Sequence, residues 1–407
     1  MKLIHTCDWH LGRKLASHDV HKFQEAALDY IVDTAIEQRC TVVMVSGDVF
    51  DGPHPPIDSV LLVNRILTRL HKAGIFSIIT AGNHDQAERL AVYSNLLVDS
   101  VRIIGSTLSL TQPVELSDEH GAVLVYPVTF LWPDAERHNL TAAGEDPLDR
   151  SHEAVTGAAL ARVRDDQRCR EGKYGAPVRT VVMAHAFVTP GGDVLTAQER
   201  AELACESERD LSIGGVQTVP SAMFDGFTYV ALGHLHMAHQ VAMPHQSPTL
   251  ARYGGSLLRY SLSETAHEKS FAVVTLGAYG IPACVQLVPI PQGRGMARLR
   301  DTLENLISDK YAAHYTDFVE LVSTDRDRPD HLYTSLNYKY DAIIAHHHIS
   351  EGLDADRLGM RPKDSDRYRH PLETLKAFVS KVTGFAATAA QAEVLASCLE
   401  SEDVVGD

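Results

Sequence analysis

The sequence predicts an α/β protein, with a sheet-based core and flanking helices followed by a small α+β region and a C-terminal pair of helices. Three observations carry that expectation. Short β-rich runs alternate with amphipathic helical patterns through the first third of the chain. Five such runs end on Asp, Asn or His. Composition then shifts at Pro289-Ile-Pro-Gln-Gly293, beyond which the pattern changes.

Residues 2–6 (KLIHT) read as a strand, and residues 18–38 as a helix with Val20, Phe23, Ala27, Tyr30, Ile31 and Ala35 on one face. A second strand spans 41–45 and a second helix 57–72, stopped by Gly74 just past its end. Residues 75–80 form a third strand. This β-α-β-α-β order with short links implies a parallel sheet with helices against its faces. Further strands are expected at 122–128, 179–184, 228–232, 252–255, 271–276 and 285–289, with the polar stretch 139–176 a helix-and-loop insertion on the surface. Beyond residue 293 the pattern predicts a helix at 297–308 and a strand at 318–322. The charged stretch 351–369 reads as a linker. Two helices follow, 370–382 with Leu372, Leu375, Phe378 and Val379 in an apolar stripe, and 387–400 with Ala392, Leu395 and Leu399. The chain therefore divides into 1–290, 291–350, 351–369 and 370–407.

A chain of 407 residues suggests two or three domains, and 44% hydrophobic with 22% charged residues is an ordinary globular balance. A formal net charge of -16 excludes a basic wrapper of nucleic acid, so DNA or RNA binding needs local patches, cations or a partner. Cys7, Cys40, Cys169, Cys205, Cys284 and Cys398 form no CxxC pair, which favours reduced thiols over a disulfide framework or zinc ribbon. No apolar stretch approaches the roughly 20 residues of a membrane helix, and the opening MKLIHTCDWH does not read as a signal peptide. The expected location is cytoplasmic, without membrane association.

The chemistry lies at the strand ends. Asp8-Trp9-His10 follows KLIHT, and Asp48 follows TVVMVSG. Asn83, His84 and Asp85 follow IFSIITAG, His185 follows RTVVMA, and His234 and His236 follow FTYVALG. Ligands of open α/β sheets bind outside the carboxyl ends of strands. A lone Asp there is ordinarily a helix cap or turn residue, and a lone buried His a hydrogen-bonded core residue. Five ends converging on one edge instead point to a metal site. Mixed oxygen and nitrogen donors without thiolate suit Mn, Fe, Zn or Mg. Asp8, His10, Asp48, Asn83, His185, His234 and His236 exceed the needs of one ion. Two ions about 3.5–4 Å apart fit better, with Asp48 as the natural bridge. Asp51 reads as a turn or cap.

DWH, GDVFD, GNHD, AH and GHLH, in this order, resemble the five signatures of the calcineurin-like metallophosphoesterases. HTCDWHLGR, SERDLSIGG (207–215), YGGSLLRYSLSE (253–264) and Lys269 further resemble the SbcD-type nuclease subunits, the bacterial branch of the double-strand-break repair nucleases. The resemblance covers about residues 1–290, and the tail in layout alone. It implies a metallophosphoesterase β-sandwich core. It implies that Asp8, His10 and His236 hold one metal and Asn83, His185 and His234 the other, with Asp48 bridging. The cofactors would be two Mn²⁺, with Mg²⁺, Fe²⁺ or Zn²⁺ as alternatives. His84 would orient the scissile phosphate or protonate the leaving oxygen. Asp85 is either a partner of a ligand or of His84, or a helix cap. Cys7 and Gln86 stand where Ser is usual, but neither is a ligand position.

The implied activity is a DNA phosphodiesterase, a double-strand exonuclease and a single-strand or hairpin endonuclease, in repair, recombination and replication. Residues 291–350 would cap the DNA, and 370–407 would bind the coiled coil of an SbcC-type ATPase, although the helix pair equally suits self-packing. A homodimer within a heterotetramer is implied as well. Arg13 and Lys14 are candidates to touch phosphate. Arg162, Arg164, Arg168, Arg170, Lys173 and Arg179 form either a basic patch or a solvated helix face, and His346, His347 and His348 read as surface sequence. The rivals are a small-nucleotide phosphodiesterase or pyrophosphatase, and a scaffold without catalysis, against which the complete motifs speak.

Overall fold

The computed structural model describes residues 1–190, 218–349 and 371–402; the stretches 207–215 and 351–369 lie outside them. The chain forms two compact units, Met1–Met296 and Ala297–Asp407.

The first unit opens with β1 (Lys2–Thr6), α1 (His21–Glu37), β2 (Val42–Ser46), α2 (Ile57–Lys72) and β3 (Phe76–Thr80). The three strands are parallel, with Leu3 beside Val42 and Val42 beside Phe76, as the alternation predicts. Gly74 follows α2 with φ +73° and donates its N–H to the His71 carbonyl, so it fills the expected role past the helix end. Arg65 and Arg69 of α2 both pair with Asp29 of α1, at 2.7 and 2.6 Å. The chain continues through β4 (Val101–Ile104), β5 (Val114–Asp118), β6 (Gly121–Pro127), α3 (Pro133–Asn139), α4 (His152–Tyr174) and β7 (Arg179–His185). After it come β8 (Tyr229–Gly233), β9 (Gln240–Val241), β10 (Leu250–Tyr253), β11 (Ser270–Thr275) and β12 (Cys284–Pro289).

These strands make two six-stranded sheets, ordered β12-β11-β1-β2-β3-β4 and β9-β10-β8-β7-β6-β5. The expectation of a parallel sheet is thus half the answer. Each sheet has a parallel block, closed by antiparallel strands: β11 and β12 in one, β5 and β9 in the other. The sheets face each other across a core that includes Leu3, Met44 and Ile78 from the first and Val125, Val181 and Tyr229 from the second. Residues of opposite parity, Leu124, Tyr126, Val182 and Leu232, pack on Val155, Ala159 and Val163 of α4. Strands covered on both faces read as unbroken apolar runs, which is why they stand out in the sequence. By contrast β4 and β5 lie at sheet edges, and VELSD carries too little apolar signal to be read as a strand.

The Ser151 hydroxyl accepts from Ala154 N at 3.1 Å and starts α4. Most of the basic residues on and after α4 have partners within the chain. Arg168 pairs with Asp165, Arg170 with Asp166, Arg179 with Asp118, and Arg164 donates to the carbonyls of Met223 and Asp225. Carboxylates within the chain thus match the charge of three of the six, Arg168, Arg170 and Arg179.

In the second unit β13 (Met296–Asp301), β14 (Phe318–Ser323), α5 (Leu332–Lys339) and β15 (Ala342–His348) build a three-stranded sheet around Leu299, Leu306, Leu321 and Leu336. The helix expected at 297–308 is strand over its first five residues and helical only at 303–306. Ala297 and Leu299 are buried while Arg298 and Arg300 are exposed, a period of two, and a single helical turn follows at Leu303–Leu306. His347 lies on β15, 3.3 Å from Glu320. α6 (Pro371–Thr383) and α7 (Ala389–Glu402) pack on one another.

Candidate metal centre

The loops after β1, β2, β3, β7 and β8 meet at one edge of the sandwich. Asp8 N donates to Gly47 O, His10 N to Asp48 O and Leu11 N to Val49 O, so the first two loops run side by side. Asp8, His10, Asp48 and His234 all have positive φ, at 50°, 44°, 52° and 105°. Four non-glycine residues in this sparsely allowed region, all carrying candidate donor atoms, mark a site where backbone strain is retained for side-chain placement.

Glycine supplies space as well. A Cβ on Gly82 would lie 2.1 Å from Asp48 Oδ1, and one on Gly233 would lie 1.8 Å from Ser46 O. The glycines that precede Asn83 and His234 are therefore required by close approach of neighbouring loops.

Asp85, left open by the sequence between a ligand partner and a helix cap, makes no cap on the helix that follows and instead supports the ligand-bearing loops. It is buried and accepts from Gly82 N (3.0 Å), Val49 N (3.1 Å) and Phe50 N (2.9 Å), tying the loop of Asn83 to the loop of Asp48. Asp51 also exceeds its turn reading. Its Oδ1 takes Arg13 Nη1 at 3.1 Å and lies 3.3 Å from His10 Nδ1, and its carbonyl accepts from His84 Nδ1 at 3.1 Å.

The side chains of the seven candidates gather in two sets. His10 Nε2 lies 3.0 Å from His236 Nε2, and Asp8 groups with both. His185 Nε2 and His234 Nδ1 lie 2.9 and 3.0 Å from Asn83 Oδ1. Asp48 stands between the sets, with Oδ2 3.6 Å from His10 Nε2 and 3.4 Å from His185 Nε2. His84 groups with His10 and Asp48 and is half-buried, its N–H donating to Asp48 Oδ1 at 2.9 Å.

Tautomers show that this donor set fits cations. His185 Nδ1 must donate to Ser46 O at 2.9 Å, so in the neutral ring Nε2 turns a lone pair toward Asn83 and Asp48. His236 Nδ1 faces Glu264 Oε1 at 3.2 Å, which turns its Nε2 lone pair on His10 Nε2. Acceptors aimed at acceptors inside a buried pocket require a proton or a metal ion between them. Charge balance agrees. Burial alone would lower the His185 pKa, but Asp48 and Asp8 beside it raise it to about 9. Burial depresses His10 to about 4 and His234 to about 3, leaving them as neutral nitrogen donors. Asp48 is held below the usual carboxylate range by His185 and His10 although burial opposes this, so it remains an anion.

Glu264 and Lys269 lie in stretches singled out in the sequence, but their role becomes visible here. Fully buried, Lys269 Nζ donates to Glu264 Oε2 (2.6 Å), Ser256 Oγ (2.9 Å) and His236 O (2.9 Å). The pair holds His236 by both its ring and its backbone. Gln24 Nε2 likewise donates to His10 O at 2.8 Å and to Tyr260 OH at 2.9 Å. Tyr260 lies in the 253–264 stretch, whereas Gln24 has no signal in the local sequence. Arg13 is spent on Asp51 and sits over the Tyr260 ring at 5.4 Å, while Lys14 is exposed on a short ladder opposite Asp19. Cys7 is the small packing residue expected, its thiol pKa pushed up by burial.

The chain is 28% identical over 279 residues to the SbcD nuclease component of SbcCD from Bacillus subtilis (strain 168), a match covering 67% of this chain and 66% of that relative. It therefore spans slightly less than two thirds of the relative's length. Among solved structures it is similar to a dimetal phosphatase from Danio rerio (12% identity, TM-score 0.42, 72% of this chain and 99% of that one). It is also similar to the protein TT1561 of Thermus thermophilus (14% identity, TM-score 0.37, 70% and 98%). The sequence profile of the calcineurin-like phosphoesterases matches residues 1–238, more than half of the chain, and the protein belongs to that family.

Proposed function

We propose that this phosphoesterase is a dimetal DNA nuclease, cutting duplex ends and single-stranded or hairpin DNA together with an SbcC-type ATPase. The observation that carries the reading is the convergence of six oxygen and nitrogen donors in two sets around a seventh, Asp48. Similarity to a nuclease subunit supplies the substrate class. Asp8, His10 and His236 would hold one ion and Asn83, His185 and His234 the other, with Asp48 shared. Two divalent ions, Mn²⁺ in this reading, supply charge neutralisation of the phosphate and activation of the attacking water.

The chain's own groups do the rest. His84 Nδ1 is fixed on the Asp51 carbonyl, so Nε2 is the atom that can carry a proton to the leaving oxygen. Asp85 and Glu264 keep the loops and His236 in place. Exposed apolar residues support the association roles: Ile57, Leu61, Val92, Tyr93 and Leu96 a homodimer contact, and Phe378 and Val394 a partner contact at the C-terminal helices. Residues 291–350 would cap the DNA. Among the described residues no helix is long and apolar enough to cross a membrane, which fits a cytoplasmic nuclease.

The test is Mn²⁺-dependent cleavage of linear duplex and hairpin DNA, alone and with the ATPase. Asp48→Ala should abolish cleavage and weaken Mn²⁺ binding. His84→Ala should keep the metal but lose about a hundredfold or more in kcat. Undiminished cleavage by Asp48→Ala would sink the shared-metal assignment. Turnover confined to small nucleotide esters, with DNA intact beside the ATPase, would replace the substrate.

A further inference from the structure

Beside the candidate centre stands a group of rings that the phosphoesterase reading leaves without a use. Thr129 Oγ1 and Phe130 N both donate to Ala81 O, at 3.0 and 2.9 Å, pinning the loop after β6 against the end of β3. Phe130 thereby meets two candidate ligands. Its ring centroid is 5.9 Å from that of His185 and 6.5 Å from that of His234, the latter at an interplanar angle of 30°. Trp132 packs edge-on against the same ring at 4.9 Å.

Packing accounts for Phe130, which is half-buried and shields the two histidines. It does not account for Trp132, whose surface stays 50% exposed although the ring is only one contact removed from the ligand cluster. The backbone of Trp132 is also fixed. Pro133 starts α3, and the Trp132 carbonyl accepts from Ala135 N (3.1 Å) and Glu136 N (2.8 Å). A preset, half-open indole next to a phosphate site is a surface on which a planar group can lie with little ordering cost.

We propose that Trp132 is a stacking platform for an unpaired nucleobase adjacent to the scissile phosphate. This deepens the nuclease reading and rests on it. A paired base hides both faces within the duplex stack, whereas an unpaired one offers a free π-face. The platform therefore selects frayed ends, single strands and hairpin loops over closed duplex at the cutting position. It is indifferent to base identity, because every base has a π-face.

The chain has two tryptophans, and Trp9 is buried, so Trp132 is the indole that a ligand in solvent can reach. The test titrates intrinsic fluorescence with a short oligothymidylate, the same strand made abasic, a blunt duplex, and thymidine monophosphate. Quenching should be strong with the oligothymidylate, weak with the duplex and absent with the abasic strand. Equal potency of the mononucleotide would assign the platform to free nucleotides rather than to DNA.

Kinetically, Trp132→Ala should raise KM for the base-bearing strand about tenfold and leave turnover of the abasic strand unchanged. Trp132→Phe, which keeps a ring, should restore most of the loss. Equal quenching by base-bearing and abasic strands, or equal losses on both in Trp132→Ala, would overturn the platform while leaving the nuclease reading intact. Base-dependent quenching without any metal-dependent cleavage would do the reverse.

Discussion

At the scale of single residues, the decisive feature is that the candidate ligands are held by groups that never touch the site's interior. Glu264 shows this best. Burial would raise its pKa, yet His236 and Lys269 hold it well below the ordinary value, so it is an anion that fixes the His236 ring with Nδ1 protonated. Carboxylates behind a ligating histidine orient it and raise its basicity. Glu264→Gln keeps the shape and removes the charge, and should weaken Mn²⁺ binding about 10–100-fold in equilibrium dialysis with the fold retained. Unchanged affinity would reduce Glu264 to a packing residue. Glu264→Ala should additionally destabilise the protein by about 3–5 kcal/mol, because it strands the buried Lys269 charge.

At the scale of elements, the strand–loop units are the most legible part of the molecule. Strands buried on both faces announce themselves as apolar runs, and their ends deliver Asp8, Asp48, Asn83, His185 and His236 to one edge as the motifs predict. What stays illegible depends on pairing at a distance. The polar edge strand β5 needs its neighbour to be a strand, β13 reads locally as helix, and Asp85 and Asp51 gain their roles from loops more than thirty residues away. Most strands of the second sheet are legible one by one, but their gathering into a second layer follows from no local period and is expected only through the family resemblance. Gly82 makes the element argument testable. It does not need a positive φ; it needs to lack a Cβ, because the atom would strike both the side chain and the backbone N of Asp48, at 2.1 and 2.4 Å. Gly82→Ala should therefore push the two loops apart, lowering Mn²⁺ affinity about tenfold or more, the scale seen when a ligand's support is removed. Near-wild-type affinity in calorimetric titration would show that the loops can relax around a methyl group.

At the scale of the whole molecule, β7 links chemistry to stability, since one end carries His185 and the other carries Arg179. Arg179 is 1% exposed. It pairs with Asp118 of the β5 edge and donates to Gly121 O at 2.7 Å and to Gly277 O, beyond β11 of the opposite sheet, at 3.0 Å. One guanidinium thus staples the two sheets at the end away from the candidate metals. Its hydrogen bonds hold the Asp118 carboxyl below the usual carboxylate range. A lowered folded-state pKa stabilises the protein fully above the ordinary aspartate value of about 3.9, and that contribution is lost as pH falls toward the lowered value. Asp118→Asn leaves Arg179 buried without its counter-charge and should cost about 3–5 kcal/mol at neutral pH. The gap between wild type and variant should narrow in denaturation measured near pH 3, because only the wild type has this carboxylate to protonate. Mn²⁺ affinity at neutral pH should match wild type, since the lesion lies at the opposite end of β7. A stability gap that stays constant with acid, or a loss of metal binding in Asp118→Asn, would contradict the separation of staple from site.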